Sequence, residues 1–187
     1  MTTAHPPTYI PVEVCTAVGL DVSTPHEECM AQVKADVAAD GVAAPAPDVA
    51  GLREVVADAG VHGIDLKVVV LSASPPIDTP LRDIATEVGQ SLPGSTVLVL
   101  SPGWAGSYSP SYDRVLLEAG QDVAKTAPNP VQGAQNFVDQ LETPIFPWTA
   151  FTIVLLIAVG GAAVATRVLQ RLANSRTAAE TASKQDK

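Results

Sequence analysis

Apolar positions recur along the chain with two periods, and the switches between them mark out its elements. Thr24-Pro25-His26-Glu27 has the form of a capping box with proline at the first helical position, and Cys29, Met30, Val33 and Val37 follow at three- and four-residue spacing. This predicts a helix over 25–39 that stops at Asp40-Gly41. GVAAPAP (41–47) reads as a linker, after which Asp48 caps a second amphipathic helix with Leu52, Val55, Val56 and Ala59 on its buried stripe. Beyond Gly63 the period falls to two: Ile64 to Val68 alternates and runs on as Val69-Val70-Leu71, the pattern of a strand in the middle of a sheet. Thr79-Pro80 opens a third helix with Leu81, Ile84, Ala85 and Val88 inward, and Pro93-Gly94 closes it. Thr96 to Leu100 and Arg114 to Glu118 read as a second and a third strand, separated by a loop, SPGWAGSYSPSY, at 101–112. Asn129-Pro130 starts a fourth helix carrying Val131, Ala134, Phe137, Val138 and Leu141.

Before these elements, residues 1–24 read as an extended segment, because Pro6, Pro7 and Pro11 cannot supply helical hydrogen bonds. The order over 25–142 predicts a small α/β domain with a mixed sheet flanked by helices. The unit from 64 to 100 is expected to be a right-handed parallel crossover, and the return to 114–118 an antiparallel hairpin.

From Trp148 to Thr166 there are nineteen residues without a charge, about 28 Å as a helix, which matches a hydrocarbon core of about 30 Å. Trp148 at one end and Arg167 and Arg171 at the other are placed as interfacial anchors, so one transmembrane helix is expected over 148–166, followed by a basic polar tail, 167–187. Residues 1–147 hold six Lys/Arg and eighteen Asp/Glu, a net charge of −12, whereas residues 167–187 hold five and two, a net charge of +3. The positive-inside rule then puts the tail in the cytoplasm and the large domain outside. The first thirty residues show no apolar run behind a basic start, which favours the opposite, tail-anchored arrangement. Gly161-x-x-x-Ala165 and Ala158-x-x-x-Ala162 have the small-residue spacing through which two membrane helices pack into a homodimer.

Composition narrows the chemistry. With 187 residues, 47% hydrophobic and 17% charged, the chain has enough apolar content for one folded core, and a net charge of −9 argues against nucleic acid as a partner. The three histidines, His5, His26 and His62, show neither metal-ligand spacing nor a triad, and Gly103-Trp104-Ala105-Gly106-Ser107 lacks the lysine of a phosphate loop. No cofactor is expected. Asp78, Asp83, Glu87, Asp113, Glu118 and Asp122 are either carboxylates gathered at strand ends for Ca²⁺ or Mg²⁺, or surface charges that keep an acidic domain soluble. Cys15 and Cys29 either close a disulfide or are two small buried hydrophobes. Trp104, Tyr108 and Tyr112 are half of the six aromatics at or before residue 147, and their setting among Gly, Ser and Pro marks them as candidate partner-binding anchors.

The segments LREVVADAGVHGIDLKVVVLS, PLRDIATEVGQSLPGSTVLVLSP and YDRVLLEAGQDV, within residues 52–123, are similar in order and spacing to the TPM domain, with Asp113-Arg114 and Gly120 where that family has its "drrv…evG" segment. IDTPLRDIA, NPVQGAQNFVDQL, TPIFPWTAFTIVLL and the short basic tail resemble an uncharacterised actinobacterial family of single-pass membrane proteins. The TPM resemblance implies extracytoplasmic or lumenal placement, work in assembly or repair of membrane complexes, and in some members metal binding or a contested phosphatase activity. Here Pro93-Gly94-Ser95-Thr96 replaces the family's acidic-Asn-Gly approach to the second strand, which removes a carboxylate from the family-type metal site. The actinobacterial resemblance implies a neighbourhood of secreted peptidoglycan hydrolases of the NlpC/P60 type. The expected function is a non-catalytic, membrane-anchored interaction or assembly module of the cell envelope. The alternatives are a weak metal-assisted phosphohydrolase using the acidic residues and a cytoplasmic tail-anchored scaffold.

Overall fold

A computed structural model describes residues 9–143 and 148–185. The first helix, α1 (His26–Asp40), begins where the proline places it, although Pro25 is the cap residue and the Thr24 hydroxyl makes no capping bond; the Pro25 carbonyl accepts from Glu28 N and Cys29 N instead. Gly41 ends α1 at φ +86° and donates its N–H back to the Val37 carbonyl. The next elements are β1 (Val42–Ala43), α2 (Ala46–Val61), β2 (Leu66–Val70), α3 (Thr79–Ser91) and β3 (Thr96–Ser101). They are followed by β4 (Trp104–Tyr108), α4 (Arg114–Ala124), α5 (Pro130–Glu142) and α6 (Trp148–Gln185). At the head of α5 the expected cap is made: Asn129 Oδ1 accepts from Gln132 N at 2.9 Å.

Four departures from the sequence reading have physical reasons. Arg114 to Glu118 is the first part of α4 and not a strand. Its Val115-Leu116-Leu117 run looks extended over five residues, but the buried positions Leu117, Gly120 and Ala124 continue at helical spacing. The antiparallel partner of β3 is β4, inside the segment read as a loop. Ser101 pairs with Trp104 around Pro102-Gly103, and Gly103 has φ +79°, the pattern of a two-residue turn with proline first and glycine second. The linker GVAAPAP contributes Val42 and Ala43 as a parallel edge strand on β2. Within residues 1–24, Val12–Val18 forms a 3-10 helix whose Val14, Cys15 and Ala17 are buried; residues 1–8 lie outside the described residues.

The sheet runs β1-β2-β3-β4, with β1, β2 and β3 parallel and β4 antiparallel, so it is mixed as expected. Strand alternation sends Val69, Leu71, Val97 and Val99 to one face, against the 3-10 segment, α1 and α3. Val68, Val70, Leu98 and Leu100 go to the other face, against α2, α4 and α5. The result is three layers with a core on each side of the sheet. The crossovers β1-α2-β2 and β2-α3-β3 step the same way across the sheet, yet α2 and α3 cover opposite faces. They therefore have opposite hands, and the right-handed rule holds for one of the two. On the second face α4 and α5 approach closely because Gly120 has no side chain: a Cβ there would lie 2.7 Å from the Phe137 ring.

Contacts divide the chain after Thr143, and α6 belongs to the second unit. Its stretch Phe151–Arg171, 21 residues with a mean hydropathy of 2.1, is the one described helix long and apolar enough to cross a membrane. This stretch begins and ends a little later than the 148–166 read from the sequence.

Candidate binding site

The three candidate anchors do not form one patch. Trp104 opens β4 and stays 39% exposed. Tyr108, four residues on, is half-buried and lies over Gly89 of α3, in the core that includes Leu81 and Val88. Tyr112 packs into the core on the opposite face of the sheet. Of the three, Trp104 alone is exposed; the other two pack their rings against the two cores, as aromatics with an apolar body commonly do.

The outer edge of β4 is closed by a side chain. Gln121 of α4 lays its amide along the strand: Nε2 donates to the Ala105 carbonyl at 3.2 Å, and Oε1 accepts from Ser107 N at 3.3 Å and Ser107 Oγ at 2.7 Å. The orientation is the one that satisfies both ends of the amide. It supplies one donor and one acceptor where a fifth strand would supply its backbone.

At the carboxyl ends of β2 and β3 there is a cavity of about 420 Å³. The chain leaves β1 toward α2 on one face and β2 toward α3 on the other, and such a switch opens a crevice between neighbouring strand ends. Val70, Leu71 and Leu100 border the cavity from the sheet, Pro102-Gly103 from the hairpin turn, Pro45 and Asp48 from the start of α2, and Asn129 and Pro130 from the start of α5. The sequence reading missed this site because its walls come from short proline segments far apart in the chain. The available signal was Pro45, the cap residue of α2, and Pro130, the first residue of α5, two helices that start from this end of the sheet.

Three of the six candidate carboxylates, Asp78, Glu118 and Asp122, line one cleft beside Trp104, together with Arg82 and Lys125. Glu118 is bonded to Arg114 Nε at 2.7 Å and lies 3.4 Å from Arg82, and Asp122 pairs with Lys125 at 2.6 Å. The others are elsewhere: Asp83 accepts from Tyr9 N, Glu87 pairs with Lys34, and Asp113 precedes α4. Among the described residues no group of three or more His, Cys, Asp or Glu is placed to hold a metal ion.

The hydrogen bond from Arg114 holds the Glu118 carboxyl below its ordinary range. A depressed carboxylate pKa contributes stability that is present above the unfolded-state value, about 4.3, and is lost as pH falls through the folded-state value. Glu118→Gln is therefore expected to lower the urea midpoint slightly at pH 7 and to differ less from the parent protein at pH 3. A difference of equal size at both pH values would show that the carboxylate charge is not the cause.

Cys15 and Cys29 form a disulfide that ties the 3-10 segment to α1, and both residues are completely buried. Of the two sequence-level alternatives, the structure contains the covalent one.

Comparison with known proteins adds the family. The family described as membrane protein Rv1476 matches residues 9–182. Membrane protein Rv1476 of Mycobacterium tuberculosis (strain ATCC 25618 / H37Rv) is 58% identical over 157 residues, covering 84% of this chain and 83% of that one. No solved structure matches the chain. The similarity spans the three-layer domain and the apolar part of α6 together, as the actinobacterial resemblance implies, and the chain belongs to the Rv1476 family of membrane proteins.

Proposed function

We propose that the chain is a non-catalytic, membrane-anchored interaction or assembly module of the cell envelope, with a TPM-like domain outside the cytoplasm and the basic tail inside. The observation that carries this reading is the Cys15–Cys29 disulfide. Such bonds persist in oxidising compartments and are rare in the cytosol. The charge division, net −12 before the apolar helix and +3 after it, agrees with that direction. Membership of a membrane protein family supports the anchor, and the TPM resemblance over 52–123 supports assembly work. The binding face is the carboxyl end of the sheet, where exposed Trp104 and the cavity lie on either side of the Pro102-Gly103 turn. A peptidoglycan hydrolase of the NlpC/P60 type is the first partner to test, and Gly161 and Ala165, one turn apart on α6, are the contact for pairing two copies.

Topology is the decisive test. Ser111→Cys and Ser183→Cys, made singly with the native disulfide retained, are treated in intact cells with a membrane-impermeant thiol reagent. Labelling at 111 and not at 183 is the expected result. Labelling at 183 alone would place the domain in the cytoplasm and overturn the envelope reading in favour of a tail-anchored scaffold.

A further inference from the structure

We infer that the domain binds an extended peptide that seats an aliphatic side chain in the cavity and runs its following basic residues along the groove between α2 and α5. The inference rests on the reading of the domain as a binding module and specifies the chemistry of its partner.

The cavity, about 420 Å³, lies within the size range of ligand pockets. Pro45, Pro102, Pro128 and Pro130 stand around it. Their rings are fixed and offer no N–H, so much of the wall is apolar and already formed before binding, which limits the ordering cost; Ser72 and Ser101 add hydroxyls to it. The lining contains no aromatic ring among the described residues, so it has no platform for stacking a sugar or a base. Lys125 is the cation at the rim, and it is already engaged by Asp122 at 2.6 Å.

Asp48 and Asn129 border the cavity and also the next depression, a groove of about 640 Å³ between α2 and α5. Glu54 and Asp58 continue the α2 side of that groove, and Gln132 and Gln135 stand across from them. The carboxylates of Asp48, Glu54 and Asp58 make no ion pair or hydrogen bond among the described residues, whereas Arg53, beside Glu54, turns to Asp40. A preformed, mainly apolar pocket is therefore continuous with a row of three negative charges that are unpaired among the described residues. From Asp48 to Asp58 the helix rises about 15 Å. An extended chain covers that length in four to five residues at about 3.3 Å each. The domain's net charge of −12 attracts a cationic segment and opposes the phosphate of a lipid headgroup or nucleotide.

The full chain in phosphatidylcholine nanodiscs is panned against a random nine-residue peptide library. The expected winners carry one or two aliphatic residues followed, within five positions, by at least two Lys or Arg. A fluorescent synthetic winner is expected to bind about tenfold or more weakly to the triple variant Asp48→Asn/Glu54→Gln/Asp58→Asn, and to Ala127→Leu, which fills the cavity. Added salt should weaken binding to the parent more than to the triple variant. Unchanged thermal unfolding of both variants shows that they are folded.

An absence of enrichment, winners without basic positions, or an affinity equal to the parent's in either variant would overturn the inference. Displacement by decanoate at submillimolar concentration would assign the cavity to a lipid chain and overturn it as well. Labelling at Ser111→Cys in cells together with an empty selection would defeat this inference and leave the proposed topology standing.

Discussion

Replacing Gly106 by alanine is expected to cost the folded domain about 3 kcal/mol, the upper part of the range for an overpacked interior. Gly106 is buried at the centre of β4, facing α3. A Cβ there would stand 2.6 Å from Arg82 N and from the Leu81 carbonyl carbon, and 2.7 Å from Leu81 Cβ. Two of these atoms belong to the backbone of a helix and cannot turn aside, so either α3 lifts from the sheet or β4 loses its pairing with β3. Gly89, on the helix side of the same contact, would meet the Tyr108 ring at 2.2 Å. That half-buried ring can swing outward, and Gly89→Ala should cost less. Gly60, within α2, has nothing within 4 Å of its Cβ position, so Gly60→Ala should be neutral or slightly stabilising through helix propensity. Urea unfolding of the three variants should therefore rank 106 below 89 below 60, with the Gly106→Ala midpoint lowered by about 1 M or more. A loss under about 1 kcal/mol at Gly106 would mean that the close approach of α3 and β4 is not maintained in solution.

Removal of the Cys15–Cys29 bond has the second large expected effect. The two cysteines are 14 positions apart. In the chain-entropy treatment a loop of this size restrains the unfolded chain by about 3 kcal/mol. The bond also fastens a segment with few other ties: Ser72 N donates to Thr16 Oγ1 at 2.9 Å, and Val14, Cys15 and Ala17 fill the core between α1 and the sheet. Cys15→Ala/Cys29→Ala should lower stability by about 3 kcal/mol and raise hydrogen exchange first at Val14 to Leu20 and at Ser72. Dithiothreitol should act slowly on the parent protein because neither sulfur reaches the surface. Rapid reduction with no change in midpoint would show that the 3-10 segment is held by apolar contacts alone.

The sequence made some of this legible for identifiable reasons. Thr24-Pro25, Thr79-Pro80 and Asn129-Pro130 located three helix starts because proline fixes φ and dispenses with an N–H that the first turn does not use. Alternation and β-branching exposed β2 and β3, which are covered on both sides. β4 escaped because Trp-Ala-Gly-Ser-Tyr is poor in strand formers. Its small residues are there so that α3 can approach and Gln121 can reach the backbone, constraints imposed by residues far away in sequence. α4 was misread from five residues whose apolar run fits a strand as well as a helix, and only the wider window through Ala124 separates the two. At the site, Trp104 was legible as a surface aromatic in a Gly- and Ser-rich setting. The cavity was not, since its walls meet only after β1, β2 and α5 are placed, and no local pattern encodes that meeting.

The amide of Gln121 on β4 has a further consequence for a protein of the membrane. Copies held to one membrane move in two dimensions, so identical strand edges meet far more often than they would in free solution. An open β4 would make every lateral collision a chance for sheets to join into ribbons across the surface. With β1 only two residues long at the other edge and Gln121 set against Ala105 and Ser107 at this one, crowding can raise the local density of the domain without turning proximity into polymerisation.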